Sequence, residues 1–197
     1  HPSQQQNLAQ IVSEKTMVNA IVALLATGGS TNHTIHLIAI AKAAGIIINW
    51  DDFATLSSVV PSLTRIYPNG QADINVFHGA GGVPYLIQTL LQGGLLHEDV
   101  ETIMGHGLSQ YCQEPKLISG KLVWQPAPAE SANSDVLTSI AEPFSKTGGL
   151  VTLEGNLGRS VAKVSAVKTE HWTVEAEALV FDSQVGFEQA FQAGALE

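Results

Sequence analysis

The segment Ala26-Thr27-Gly28-Gly29-Ser30-Thr31-Asn32-His33, followed by an apolar run to Ala44, constrains this chain most. Two adjacent glycines let the backbone turn tightly and approach another group without a Cβ clash. Hydroxyl and amide side chains then stand where a helix begins, so Ser30, Thr31 and Asn32 can each act as N-cap. The first free N–H groups of such a helix, with the positive end of its dipole, form an anion site. The same residues also make an ordinary capped helix after a loop, and short glycine motifs match by chance.

The chain of 197 residues is long enough for one sizeable core or for parts of two domains. Nine basic against eighteen acidic residues give a net charge of −9, which disfavours nucleic acid as a partner. It leaves open a small anionic ligand, because a nest of N–H groups acts independently of net charge. The apolar run from Met17 to Ala26 is too short for a membrane span and contains Asn19. A single cysteine, Cys112, excludes an internal disulfide, fits a reducing compartment and cannot alone hold an iron–sulfur cluster. The chain starts at His1-Pro2 without an initiator Met or signal-peptide pattern, which suggests processing or a piece of something longer.

Apolar spacing predicts a helix from Asn7 to Leu25 and a second from Thr34 to Ala44, the latter covered on more than one side and stopped by Gly45. Asn49 or Asp51 can cap a helix from Asp52 to Val60 that ends at Pro61. Tyr67-Pro68-Asn69-Gly70 is a turn, and the loop Gly79 to Gly82 leads into a helix from Val83 to Gln92. Val100 to Met104 reads as a short strand and Gly107 to Cys112 as a short helix. From about Glu114 the pattern turns extended. A hairpin is expected about Ser119-Gly120, then strands at Leu150 to Leu153, Ser160 to Val167 and Thr173 to Phe181, and a helix from Val185 to Ala193. So few strands leave sheet edges unpaired, and the chain ends immediately after a helix, as an incomplete second domain would.

Thr27-Gly28-Gly29-Ser30-Thr31-Asn32 together with Gly155-Asn156-Leu157-Gly158-Arg159 resembles the dihydroxy-acid and phosphogluconate dehydratase family. Thr31 to Thr34, Ile48 to Phe53, Tyr67 to Asn75, Gly81 to Pro84 and Gly94 to Val100 are similar to its phosphogluconate branch. The resemblance implies an α/β fold (α+β overall). Residues 1–113 would form the end of a helix-rich α/β domain, and residues 114–197 the start of an incomplete β-barrel-like domain.

It also implies a cytoplasmic hydro-lyase of carbohydrate metabolism, a homodimer with its active site between domains. That enzyme turns 6-phospho-D-gluconate into 2-dehydro-3-deoxy-6-phosphogluconate in the Entner–Doudoroff route. A 4Fe-4S cluster would act there as Lewis acid on the departing hydroxyl while a base takes the C2 proton. The family's cluster cysteines and its proposed catalytic serine have no counterpart here, since Gln110-Tyr111-Cys112-Gln113 matches no cluster motif. The expectation is therefore an internal segment, inactive alone, with no catalytic residue and no metal ligand of its own. A dihydroxy-acid or other sugar-acid dehydratase segment is the nearest alternative, and a non-catalytic anion-binding or assembly module is an alternative of another class.

The expected substrate contacts are Gly28, Gly29, Ser30, Thr31, Asn32 and His33, with Asn156 and Arg159 from the second motif; Arg159 can pair bidentately with phosphate or carboxylate. A β-turn with a surface arginine explains the second motif equally well. His33 and His36 share a helix face but lack a third ligand, which makes a weak metal site; His33 belongs to the phosphogluconate-like form of the motif, so the resemblance implies a phosphate contact there, and His36 reads as structural. His78 is a minor candidate beside its glycine loop. Asp51 and Asp52 read as helix N-terminal residues, His97 to Asp99 as a solvated turn, and Lys163 and Lys168 as surface charges.

Overall fold

A computed structural model describes residues 7–196. The start at His1-Pro2 lies outside them. The expected first helix is two. α1 (Leu8–Ile11) is a single turn capped by Asn7, and α2 (Glu14–Thr27) starts afresh at Ser13. Ser13 has extended backbone there; its Oγ accepts the Thr16 N–H at 3.3 Å, and its own N–H donates to Thr16 Oγ1 at 2.8 Å. This reciprocal cap competes successfully with continuation of the helix.

α2 is the central element. Met17, Ile21, Leu24 and Leu25 follow helical spacing and are buried, Leu25 completely. Around them pack Leu37 and Ala41 of α3 (Thr31–Ala43), Phe53 of α4 (Trp50–Ser57), Phe77 of α5 (Ile74–Gly79) and Tyr85, Leu86 and Leu90 of α6 (Gly82–Gln92). Val136, Leu137 and Leu150 join the same core, so it draws on residues from both sides of position 113.

α3 departs from expectation in two ways. It begins three residues earlier, at Thr31, because Ser30 caps it. It also buries only the narrow stripe Thr34, Leu37 and Ala41, leaving Ile35 and Ile40 exposed rather than covered on a second side. Its end is as expected. Gly45 has φ +78°, its N–H bonds Lys42 O at 3.1 Å and the Ile46 N–H bonds Ala41 O at 2.8 Å, which together form a Schellman motif. Asn49 caps α4, with Asp52 completing the reciprocal pair. α5 was not foreseen; Asp73 starts it by accepting the N–H groups of Asn75 and Val76.

The strands form three separate antiparallel pairs: β1 (Glu101–Thr102) with β2 (Gly105–His106), β3 (Gln113–Ile118) with β4 (Lys121–Pro126), and β5 (Leu150–Gly155) with β6 (Gly158–Lys163). The fold is thus mixed α/β, and no closed barrel is formed among the described residues. The β3–β4 hairpin turns where expected, with positive φ at both Ser119 and Gly120, as a two-residue turn of matching twist requires. β6 stops at Lys163 because the 3₁₀ turn Val164–Ala166 bends its N–H groups back onto Gly149 O. The strand expected over Thr173 to Phe181 is absent; the segment is exposed and has no neighbouring strand to pair with. The closing helix is α7 (Gln184–Gln192).

Asn19 is the polar member of the α2 core face, 8% exposed. Its amide donates to His97 O at 2.9 Å and accepts the His97 N–H at 2.8 Å, locking the turn after α6 to α2. Replacing Asn19 with Ala leaves both His97 backbone groups unpaired and should lower stability by about 1–3 kcal/mol in urea unfolding. His97→Ala keeps those backbone groups in place and should stay close to wild type.

Candidate functional site

The glycine corner joins α2 to α3. Gly28 is left-handed (φ +60°, ψ +42°); its N–H bonds Leu25 O, and that of Gly29 bonds Leu24 O at 2.9 Å, a second Schellman motif. Ser30 Oγ accepts the Asn32 N–H at 3.2 Å, and Ser30 O accepts the His33 N–H at 2.9 Å. Ser30, Thr31, Asn32 and His33 are all exposed at this start of a 13-residue helix. The corner therefore presents polar side chains to solvent at the positive end of the α3 dipole.

Its other face is held from below. The Asn69 amide donates to Thr27 O at 3.3 Å and to Gly28 O at 2.7 Å, and Thr64 Oγ1 donates to Thr27 O at 2.9 Å. Ser165 Oγ donates to Asn69 Oδ1 at 2.9 Å. A Cβ on Gly28 would collide with the Asn69 amide. Sequence reasoning missed Asn69 as a support, since Tyr67-Pro68-Asn69-Gly70 signals only a turn. Its role depends on partners 41 and 96 residues away.

Asn156 and Arg159 occupy the β5–β6 hairpin. Asn156 and Leu157 form its two-residue tip, both exposed, and Arg159 forms an ion pair with Asp51 at the start of α4. The bond to Asp51 raises the guanidinium above its ordinary value, so Arg159 is held charged. No hydrogen bond or ion pair joins Asn156 or Arg159 to residues 28–33 among the described residues. His33 lines an apolar cavity of about 440 Å³ with Asn19, Leu24, Thr27, Leu86 and Leu90, while His36 is exposed on α3. His78 lies beside a different cleft, with Glu114 and Lys116.

A third cavity, of about 280 Å³, lies on the far side of Thr64 and Asn69. Extended residues 62–65 form one wall, paired by single bridges to Ser145 and Leu137; the loop Phe144–Gly149 and the segment Val164–Trp172 form the others. Half of its side chains are hydroxyls, with Arg65 as the cation and no carboxylate. The sequence holds no local signal for it, because the three segments meet only in the fold.

The residues present do not fit an iron–sulfur cluster. Cys112 is the single cysteine, and among the described residues no group of three or more His, Cys, Asp or Glu could hold a metal ion. Burial, with Glu98 nearby, also pushes the Cys112 thiol up, disfavouring the thiolate that metal ligation needs. No helix among the described residues is long and apolar enough to cross a membrane.

The family comparisons agree with the motifs. The description "Dihydroxy-acid/6-phosphogluconate dehydratase N-terminal" matches residues 3–111, and the corresponding C-terminal description matches residues 135–197. The chain belongs to the dihydroxy-acid/6-phosphogluconate dehydratase family. Among individual relatives it is 58% identical over 190 residues to phosphogluconate dehydratase of Pseudomonas aeruginosa, covering 96% of this chain and 31% of that protein. It is 56% identical to the phosphogluconate dehydratase of Escherichia coli K12, at 96% and 32% coverage. The dihydroxy-acid dehydratase of Caldanaerobacter subterraneus is 36% identical, again over 96% of this chain and 32% of the relative. The chain spans about a third of the length of these curated relatives.

Two measurements test this geometry. Gly28→Ala and Gly45→Ala both place a side chain at positive φ, at roughly 1–2 kcal/mol each. Gly45 has open space around it, whereas Gly28 faces Asn69, so Gly28→Ala should show the clearly larger loss in denaturant unfolding. Equal losses would mean that Asn69 does not support the corner. Cys112 should alkylate more slowly at mildly alkaline pH than in the urea-unfolded chain. Because its folded pKa is raised, the stability tied to the neutral thiol is present below the ordinary thiol value and is lost as pH rises toward the folded one.

Proposed function

We propose that this chain is the substrate-gripping segment of a phosphogluconate dehydratase, a cytoplasmic, homodimeric hydro-lyase that dehydrates 6-phospho-D-gluconate in the Entner–Doudoroff route. The observation that carries the reading is the contrast in identity: 58% to a phosphogluconate dehydratase against 36% to a dihydroxy-acid dehydratase over nearly the same residues. In this reading Ser30, Thr31, Asn32 and His33 orient a charged end of the sugar acid at the start of α3, with Gly28 and Gly29 allowing close approach. Arg159 and Asn156 belong to the reading as contacts supplied by the second family motif; Arg159 would exchange Asp51 for the ligand. The iron–sulfur chemistry of such enzymes needs ligands this chain does not carry, so its own residues bind and orient rather than transfer a proton or polarise the hydroxyl.

Equilibrium binding tests the reading. The chain should bind 6-phospho-D-gluconate about tenfold or more tightly than D-gluconate or an unphosphorylated branched dihydroxy acid. Ser30→Ala combined with Thr31→Ala should weaken that binding with little change in unfolding. Tighter binding of the unphosphorylated dihydroxy acid would favour the other branch of the family and overturn the assignment.

A further inference from the structure

The cavity behind the glycine corner holds a hydroxyl that the described residues themselves do not use. Ser62 is 6% exposed and lines it. Its main chain is fully engaged, since the N–H donates to Ser145 O at 2.9 Å and the C=O accepts the Phe144 N–H at 3.0 Å. Its hydroxyl has no partner among the described residues, although buried hydroxyls in folded proteins are nearly always satisfied. The neighbouring buried hydroxyl of Thr64 shows the contrast, because it is used internally on Thr27 O.

Arg65 stands beside Ser62 in the same wall. Its guanidinium carbon lies over the Phe144 ring at 4.2 Å from the centroid, a cation–π contact that holds the charge at this wall. Arg65 forms no ion pair among the described residues, whereas Arg159 is held by Asp51. Ser145, Thr147 and Thr169 line the same cavity with further hydroxyls, Ser145 Oγ accepting the Thr147 N–H at 3.3 Å, and no carboxylate lines it. The nearest acidic side chain in sequence on that wall, Glu170, faces Lys168 at 3.7 Å and His171 at 3.5 Å.

A planar cationic fork, a buried hydroxyl and further hydroxyls match a tetrahedral oxyanion rather than a metal or an apolar group. We propose that Arg65 and Ser62, with Thr147 and Thr169, bind the phosphoryl group of the ligand. The cavity of about 280 Å³ accommodates a phosphoryl group and leaves room for the carbon chain to leave it. This assignment rests on the phosphogluconate reading for the identity of the ligand, and it leaves the exposed start of α3 for the carboxylate end.

The test is a titration of the whole chain, wild type and variants, with inorganic phosphate, 6-phospho-D-gluconate and D-gluconate, followed by calorimetry or amide chemical shifts. Arg65→Gln should weaken both phosphate ligands about tenfold or more and leave D-gluconate unaffected. Ser62→Ala should weaken them several-fold while keeping or raising Tm, because it removes an unsatisfied group; a hydroxyl that merely supports the fold would lower Tm when lost. If 6-phospho-D-gluconate binds but ignores both substitutions, the pocket assignment fails and the substrate reading stands. If inorganic phosphate binds through Arg65 while 6-phospho-D-gluconate does not bind, the pocket stands and the substrate reading falls. No phosphate binding to the wild-type chain at millimolar concentration overturns the pocket.

Discussion

The side-chain amide of Asn69 ties together three segments that have no local reason to meet. Its nitrogen carries the carbonyls of Thr27 and Gly28, orphaned at the end of α2, and its oxygen takes the hydroxyl of Ser165. A helix C-terminus leaves several carbonyls without partners. The Schellman bonds of Gly28 and Gly29 satisfy the carbonyls of Leu25 and Leu24, the Leu63 N–H satisfies that of Ala26, and Asn69 and Thr64 take those of Thr27 and Gly28. The direction in which α3 departs, and so the placement of Ser30 to His33, follows from that set of bonds. So does the position of the 144–149 loop, because residues 62 and 64 bridge to Ser145 and Leu137 on the opposite edge.

Local chemistry was readable wherever one residue and its immediate neighbours decide the outcome. The Gly45 stop, the Asn49 cap, the turn at Tyr67 to Gly70, the helix after Gly82 and the hairpin at Ser119-Gly120 all have this character. The break between α1 and α2 was also encoded locally, in Ser13 and Thr16, but the apolar spacing running across it gave no sign of an interruption. Burial was the weaker inference. The apolar run of α3 looked like a helix covered on two sides, yet only one stripe meets the core. The alternating residues about Val174 to Val180 have strand chemistry without a strand to pair with. The family motifs located the glycine corner and the 155–159 hairpin in sequence. They carried no trace of the Asp51–Arg159 pair or of the hydroxyl-lined cavity, both of which are made by residues about a hundred positions apart or by three separate segments.

The accessible surface is 13095 Å², well above the roughly 8,900 Å² expected for a folded monomer of this size. Many large apolar side chains are among the exposed residues. Leu117, Leu122 and Trp124 of the β3–β4 hairpin, Ile35 and Ile40 of α3, and Leu157 at the β5–β6 tip all face solvent. Only 14% of the residues are charged, so there is little polar surface to offset them. Apolar exposure on this scale is ordinarily covered by further protein, and the relatives are about three times as long as this chain.

The glycine corner and the hydroxyl-lined cavity share one wall, and this bears on how a ligand with two acidic ends could be tolerated by a chain of net charge −9. Charges more than about 8 Å apart are largely screened at physiological ionic strength, so local surroundings decide. Asp51 is engaged with Arg159 and Asp99 with Lys15, and neither lines the cavity. A helix start alone discriminates poorly among anions, because any of them answers its dipole. An arginine fork held over an aromatic ring beside a buried hydroxyl can select for shape as well as charge. With Thr64 and Asn69 between them, each bonded to the corner on one side and lining the cavity on the other, the two anion-attracting features are held at a set separation. A ligand spanning both would be chosen by the distance between its acidic ends, a criterion that neither feature could impose by itself.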